Sequence, residues 1–109
     1  MRPGELAIDR RTENGNHTLA LAGELDLASA RGLEQIVAEI CATDAKRIVV
    51  ELSKVTFIDS SGLRALLGSR EICAAHGHEL TLSGCTDYVR KLLELTGLDS
   101  VLSCDGTAS

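Results

Sequence analysis

Apolar and polar residues alternate near the start of the chain, over about residues 5–12 and again over residues 17–23. A period of two predicts strands, because successive side chains of a strand point to opposite faces of a sheet. Asn14 and Gly15 lie between the two stretches. This dipeptide predicts a tight turn with two positive φ angles, so the first two strands should form an antiparallel hairpin.

Three later stretches carry apolar residues at helical spacing. The first predicted helix is capped by Asp26 or Ser29, and its apolar face consists of Leu33, Ile36, Val37, Ile40 and Cys41. The second begins near residue 60 and continues to about His76, where Gly77 ends it, and the third stops near Gly97.

The segments between these helices predict two further strands. Residues 47–52 are almost continuously apolar, which is typical of a strand buried on both faces, and Leu80 and Leu82 mark the other strand. The order strand-strand-helix-strand-helix-strand-helix predicts an α/β fold, a mixed sheet of about four strands with three to four packed helices. We expect one domain over residues 1–109, with a core over about 5–102 and a flexible tail at 103–109.

Composition excludes several classes of function. The formal net charge of -5 argues against a nucleic-acid surface, which needs clustered Lys and Arg. No apolar run approaches the roughly 18 residues that span a bilayer, so direct membrane insertion is not expected. The first ten residues lack the apolar region of a signal peptide, and we therefore expect a cytoplasmic protein.

The four cysteines include no C-x-x-C pair, and no metal or other cofactor is predicted. Cys41 and Cys73 fall within apolar helical patterns and are interpreted as small core residues. Two alternatives stay open for the cysteines. One is a metal site formed by Cys73, His76 and His78, and the other is a regulatory disulfide involving Cys104. A redox role of Cys41, Cys73, Cys85 or Cys104 also stays open.

Candidate chemistry lies in "VTFIDSSGLRALL", residues 55–67, where a buried strand leads into a helix. Function in open sheets tends to lie beyond the carboxyl ends of the strands, and "GELD", residues 23–26, should lie at the same edge. Asp59 or Ser60 is the predicted N-cap, which places Ser61 in the first helical turn. Gly62 has no side chain, so another molecule could approach the backbone there.

Ser61 lacks the surroundings of a catalytic nucleophile. The chain has no G-x-S-x-G, P-loop or G-x-G-x-x-G motif, and no base is indicated beside the serine pair. We therefore predict that the protein is not an enzyme. An exposed hydroxyl at a helix start is suited to accept a phosphoryl group from a separate kinase, and helix capping alone is the alternative role.

The stretches "LALAGELDLASA" and "IVVELSKVTFIDSSGLRALL" resemble the STAS-domain family, specifically the bacterial anti-sigma factor antagonists, over about residues 5–102. The resemblance implies a STAS-like fold and a partner-switching role in transcription regulation, in sporulation or the stress response. The unphosphorylated antagonist binds an anti-sigma factor that is also a serine kinase, and this frees the sigma factor. Phosphorylation ends the complex, and a serine phosphatase of the metal-dependent type restores it.

The resemblance also assigns residues. It implies that Ser61 is phosphorylated and that the partner-binding surroundings are Glu24, Asp26, Asp59, Ser60, Gly62, Leu63 and Arg64. Arg64 departs from the glycine of the sporulation member, which affects the docking surface. Two other functions remain as alternatives: an accessory or regulatory STAS subunit of a membrane transport system, such as a lipid-trafficking assembly, and a small enzyme using Ser61 or Cys73.

Overall fold

The fold is known from a computed structural model that describes residues 5–43 and 46–105. Three helices and five strands alternate in the predicted order, with a short 3-10 helix near the end. The elements are β1 (Leu6–Glu13), β2 (Asn16–Leu25), α1 (Leu27–Cys41), β3 (Arg47–Ile58), α2 (Ser60–Ala75), β4 (Glu79–Ser83), α3 (Asp87–Thr96), the 3-10 helix (Leu98–Ser100) and β5 (Cys104–Asp105).

The strands form one mixed sheet in the order β1-β2-β3-β4-β5. β1 and β2 are antiparallel, and the remaining neighbours are parallel. The predicted hairpin is confirmed, since Asn14 and Gly15 have φ angles of 53° and 82°. The α/β fold with a mixed sheet is likewise confirmed, with β5 as an additional two-residue strand.

The core lies on one face of the sheet. In β3, the buried residues Ile48, Val50 and Leu52 alternate with the half-buried Val49 and Glu51. The buried positions of β2 and β4 join the same cluster as the apolar faces of the three helices. The expectation that residues 47–52 are buried on both faces was therefore wrong, because the helices pack against only one side of this strand.

The C-terminal segment differs from the expected flexible tail in the part that the structure describes. Cys104 pairs with Leu82 of β4, and a disulfide joins it to Cys85. These two constraints hold the segment against the sheet edge, whereas residues 106–109 lie outside the described ranges. Of the alternatives left open for the cysteines, the structure therefore contains a disulfide at Cys104, and its partner is Cys85.

The other two cysteines are core residues, as predicted. Cys41 of α1 and Cys73 of α2 are buried, and their sulfur atoms are 3.4 Å apart. Burial, together with the hydrogen bond and charge interaction with Cys41, raises the pKa of the Cys73 thiol to about 12. Because Cys73 faces the core, it does not join His76 and His78, and no metal-ligand group forms within residues 5–43 and 46–105.

Candidate functional site

The two sequence motifs meet at one edge of the sheet. Leu25 and Ile58, the last residues of β2 and β3, are paired neighbours in the parallel ladder. The N–H of Asp59 donates to the carbonyl oxygen of Leu25 at 3.3 Å. The expected meeting of "GELD" and "DSSG" is therefore confirmed, and the helices α1 and α2 both start from this edge.

Asp26 is the N-cap of α1. Its Oδ1 accepts hydrogen bonds from the N–H groups of Ala28 at 3.1 Å and Ser29 at 3.2 Å. In return, the Ser29 hydroxyl accepts from the Asp26 N–H at 3.0 Å. This reciprocal capping box satisfies two backbone donors at once and fixes the direction in which α1 leaves the sheet.

Asp59 has the corresponding role in α2. Its Oδ1 accepts from the Gly62 N–H at 2.8 Å, so Asp59 rather than Ser60 is the N-cap. Ser60 is the first residue of the helix and is exposed, and Ser61 is the second and is half-buried. The structure therefore places the Ser61 hydroxyl in the first turn of α2, as predicted.

Gly62 serves the packing of the chain itself. It is buried, and a Cβ atom at this position would collide with the carbonyl oxygen of Leu25. The expectation that Gly62 leaves room for another molecule was therefore wrong, because the end of β2 already fills that space. Leu63 is also buried. Of the predicted set, Ser60 and Arg64 are exposed, and the half-buried members are Glu24, Asp26, Asp59 and Ser61.

Tyr88 of α3 supports the site from the other side. β3 is longer than β4, and their pairing ends at Glu51 and Ser83. Beyond that point, the Tyr88 hydroxyl donates to the Ile58 carbonyl and lies within hydrogen-bond distance of the Ile58 N–H, both at 3.2 Å. Sequence reasoning did not find this contact, since nothing local indicates that Tyr88 reaches a strand end 30 residues earlier.

Ser61 faces a groove between the N-terminal halves of α1 and α2. The groove has a volume of about 190 Å³ and is lined by Leu27, Ala30, Arg31, Glu34, Ser61, Arg64 and Ala65. On each helix these positions follow spacings of three and four, so they share one face. Arg31 was not predicted as a site residue, because its place beside Ser61 depends on how α1 packs against α2. We call this feature the Ser61 groove.

Two large apolar side chains are exposed near this edge. Leu27, the first residue of α1, is 75% exposed, and Phe57, next to last in β3, is 43% exposed. Glu24 is half-buried, and its carbonyl oxygen accepts from the Ser29 hydroxyl at 3.0 Å. Exposed apolar surface beside polar groups is typical of interaction sites.

The chemistry of this edge is not that of an activated nucleophile. His76 follows the last residue of α2, which places it about 22 Å along the helix from Ser61 at 1.5 Å per residue. His78 lies beyond it, and His17 lies near the start of β2, at the opposite end of the strand. No histidine is therefore positioned to deprotonate Ser61.

The chain is similar to proteins of known class over nearly its whole length. The family profile described as "Mlab, STAS domain" matches residues 8–103. A relative from Staphylococcus aureus (strain NCTC 8325 / PS 47), the "Anti-sigma-B factor antagonist", is 28% identical over 97 residues, which cover 89% of this chain and 90% of that protein.

Solved structures of the same class of protein are also similar to this chain. An anti-sigma factor antagonist from Mycobacterium paratuberculosis superposes with a TM-score of 0.82 and 25% identity, covering 94% of this chain and 87% of the other. The unphosphorylated anti-sigma factor antagonist SpoIIAA shares the fold at 21% identity, with a TM-score of 0.77 and coverage of 90% and 87%. The chain therefore belongs to the STAS-domain family.

Proposed function

We propose that this protein is an anti-sigma factor antagonist that is switched off by phosphorylation of Ser61. It binds an anti-sigma factor with serine-kinase activity and thereby releases a sigma factor, and a serine phosphatase of the metal-dependent type reverses the modification. The observation that carries the proposal is the position of Ser61, in the first turn of α2 where the two motifs meet. The antagonist names of the similar proteins support the partner class.

The surroundings of Ser61 suit a protein partner. Leu27 and Phe57 offer exposed apolar surface, and Ser60 and Arg64 offer exposed polar groups. A partner that covers this edge removes the apolar surface from water and brings the Ser61 hydroxyl into the interface. We therefore place the interface on the edge formed by the starts of α1 and α2.

A phosphate on Ser61 would oppose binding by its charge. Phosphoserine carries about -1.5 to -2 charges at neutral pH. The first turn of a helix tolerates such a charge, because its N–H groups and dipole are positive there, an effect of about 0.3–1 kcal/mol. Leaving the same charge unmatched inside an interface costs about 2–5 kcal/mol, which weakens affinity about 30-fold to several thousand-fold.

The test needs a candidate anti-sigma factor, which we would seek as a histidine-kinase-like ATPase encoded near this gene. Incubation of the two proteins with ATP, followed by mass spectrometry, should place one phosphate on Ser61. Phosphate on Ser60 with Ser61 unmodified would overturn the assignment.

Binding is then measured by calorimetry with Ser61→Asp and the uncharged Ser61→Asn, and circular dichroism confirms that both variants fold. We expect Ser61→Asp to bind at least 30-fold more weakly and Ser61→Asn to bind within a few-fold of the native chain. Equal binding by both variants would contradict the charge mechanism. Capture of a permease and its ATPase in place of the anti-sigma factor would favour the accessory transport role.

Release of a sigma factor requires the compartment where transcription occurs, so we also propose a cytoplasmic location. None of the helices in the described part of the chain is long and apolar enough to cross a membrane. Disulfides such as that between Cys85 and Cys104 are rare in a reducing cytoplasm. We therefore expect this pair to be at least partly reduced in the cell.

A further inference from the structure

Two arginines line the groove that Ser61 faces, and neither has an ion-pair partner among the described residues. Arg31 projects from α1 and Arg64 from α2. Within residues 5–43 and 46–105, the ion pairs join Arg10 to Glu39, Arg11 to Asp9 and Arg47 to Glu79, and none of them involves Arg31 or Arg64. Two arginines thus line the same groove as the residue that we propose to be phosphorylated.

We propose that Arg31 and Arg64 form an intramolecular binding site for the phosphate of phosphoserine 61, which holds the modified side chain in the Ser61 groove. The inference rests on the proposed function, since it describes the state that follows phosphorylation of Ser61. It extends that function, because the antagonist's own surface then stabilises the switched-off state.

The spacing of the residues supports this site. Arg64 lies three residues after Ser61, and side chains at this separation are neighbours on a helix surface. Arg31 approaches the same groove from the facing helix. The groove has a volume of about 190 Å³. This is several times the roughly 30 Å³ that one water molecule occupies in the liquid, so a phosphoryl group fits.

The chemistry of the two side chains matches a phosphate. A guanidinium group presents several N–H donors in a planar fork that binds phosphate oxygens in pairs. The backbone adds donors, because the N–H groups of Ser60 and Ser61 have no acceptor among the described residues. The phosphate would therefore receive hydrogen bonds from two side chains and from the start of α2.

Three nearby carboxylates are negatively charged, as the phosphate would be. Their positions limit their repulsion of the phosphate. Asp26 and Asp59 direct an oxygen to the N–H groups of α1 and α2, respectively. Glu34 also lines the groove, but its carboxylate lies over Gly68. Gly68 is seven residues after Ser61, about 10 Å farther along α2, so the Glu34 carboxylate is displaced along the helix from the residue that would carry the phosphate.

The test installs phosphoserine at position 61 during translation, so that it needs no kinase. Phosphorus NMR then follows the titration of the phosphate, whose second pKa is about 6 when unperturbed. Arginines that bind the phosphate favour its doubly charged form and lower this pKa. In the double variant Arg31→Gln/Arg64→Gln, we therefore expect the second pKa to rise by about 0.5 to 1 relative to the native sequence.

Arg70→Gln is the control for charge loss on α2: it removes one positive charge from that helix, as the Arg64→Gln half of the double variant does. Arg70 lines a different surface cavity and lies nine residues after Ser61, about 13 Å along the helix. We expect this variant to leave the phosphate pKa nearly unchanged. An unchanged pKa in the double variant, or an equal rise in Arg70→Gln, would overturn the proposed phosphate site.

The result is separable from the proposed function. If the anti-sigma kinase leaves Ser61 unmodified, the proposed function fails, whereas the titration still reports whether the groove binds a phosphate. If the kinase modifies Ser61 but the two arginines have no effect on the titration, the switch stands without the intramolecular site.

Discussion

The carbonyl oxygen of Leu25 lies directly against the Cα of Gly62, so the end of β2 and the first turn of α2 pack backbone against backbone. The same Leu25 carbonyl accepts the Asp59 N–H, which fixes its position. A side chain at position 62 would also lie 3.0 Å from Cγ2 of the buried Ile58. This close approach sets the position of Ser61, the residue immediately before the glycine.

Gly62→Ala should lower the free energy of unfolding by about 1–3 kcal/mol, because a Cβ in contact with fixed backbone overpacks the site. The gain in helix propensity, at most about 1 kcal/mol, is too small to offset this effect. Urea unfolding followed by circular dichroism measures the change.

Gly32→Ala is the control for that substitution. Gly32 lies in α1, and a Cβ there would have no neighbour within 4 Å. We expect this variant to be more stable by about 0.5–1 kcal/mol, because alanine favours the helix. Stabilisation by both alanines would show that the Leu25 contact relaxes without cost.

Tyr88→Phe should lower the free energy of unfolding by about 1–2 kcal/mol. The phenylalanine keeps the ring and removes the hydroxyl that bonds both the N–H and the carbonyl of Ile58. The same unfolding assay applies, and an unchanged slope with urea would show that only stability has changed. A variant as stable as the native chain would mean that water replaces the hydroxyl at the end of β3.

The number of cysteines that react with a thiol reagent should differ between three conditions: native, denatured, and denatured with reductant. In the native, oxidised protein at pH 8, we expect no rapid reaction, because two cysteines are buried and two form the disulfide. The thiolate is the reactive form, and a pKa of about 12 keeps the Cys73 thiol protonated at this pH.

Denaturation in concentrated guanidinium chloride should then release the two thiols of Cys41 and Cys73, and a reductant should raise the total to four. Rapid native reaction of one thiol would contradict the burial of the pair. Four thiols in the denatured protein without reductant would show that Cys85 and Cys104 are not joined.

The secondary structure followed from local patterns to a large extent. The Asn14-Gly15 turn needed only its own residues, because a positive φ is a property of the dipeptide. Gly97 likewise ends α3 with a φ of 75°, near the predicted position. The length of the strands was predicted less well from these patterns. β3 continues to Ile58, six residues beyond the end of its almost continuous apolar run.

The position of the candidate site was also accessible from sequence. Asp26 and Asp59 each follow a strand and precede a helix, and parallel strands end at the same sheet edge. The residues that line the site could not be predicted from the sequence. Arg31 and Tyr88 reach it from other elements, and their contributions depend on how α1 and α3 pack.

The sequence by itself determined the order of the main elements, the hairpin, the two candidate residues for each N-cap and the place of Ser61 in a first helical turn. These features depend on residues within a few positions of one another, so local geometry and periodicity are sufficient. Only the tertiary structure decided that Gly62 packs on Leu25, that Cys104 bonds to Cys85, and that Arg31 shares a groove with Ser61. Each of these contacts joins residues far apart in the chain, and their distances are set by the packing of helices on the sheet rather than by any local preference.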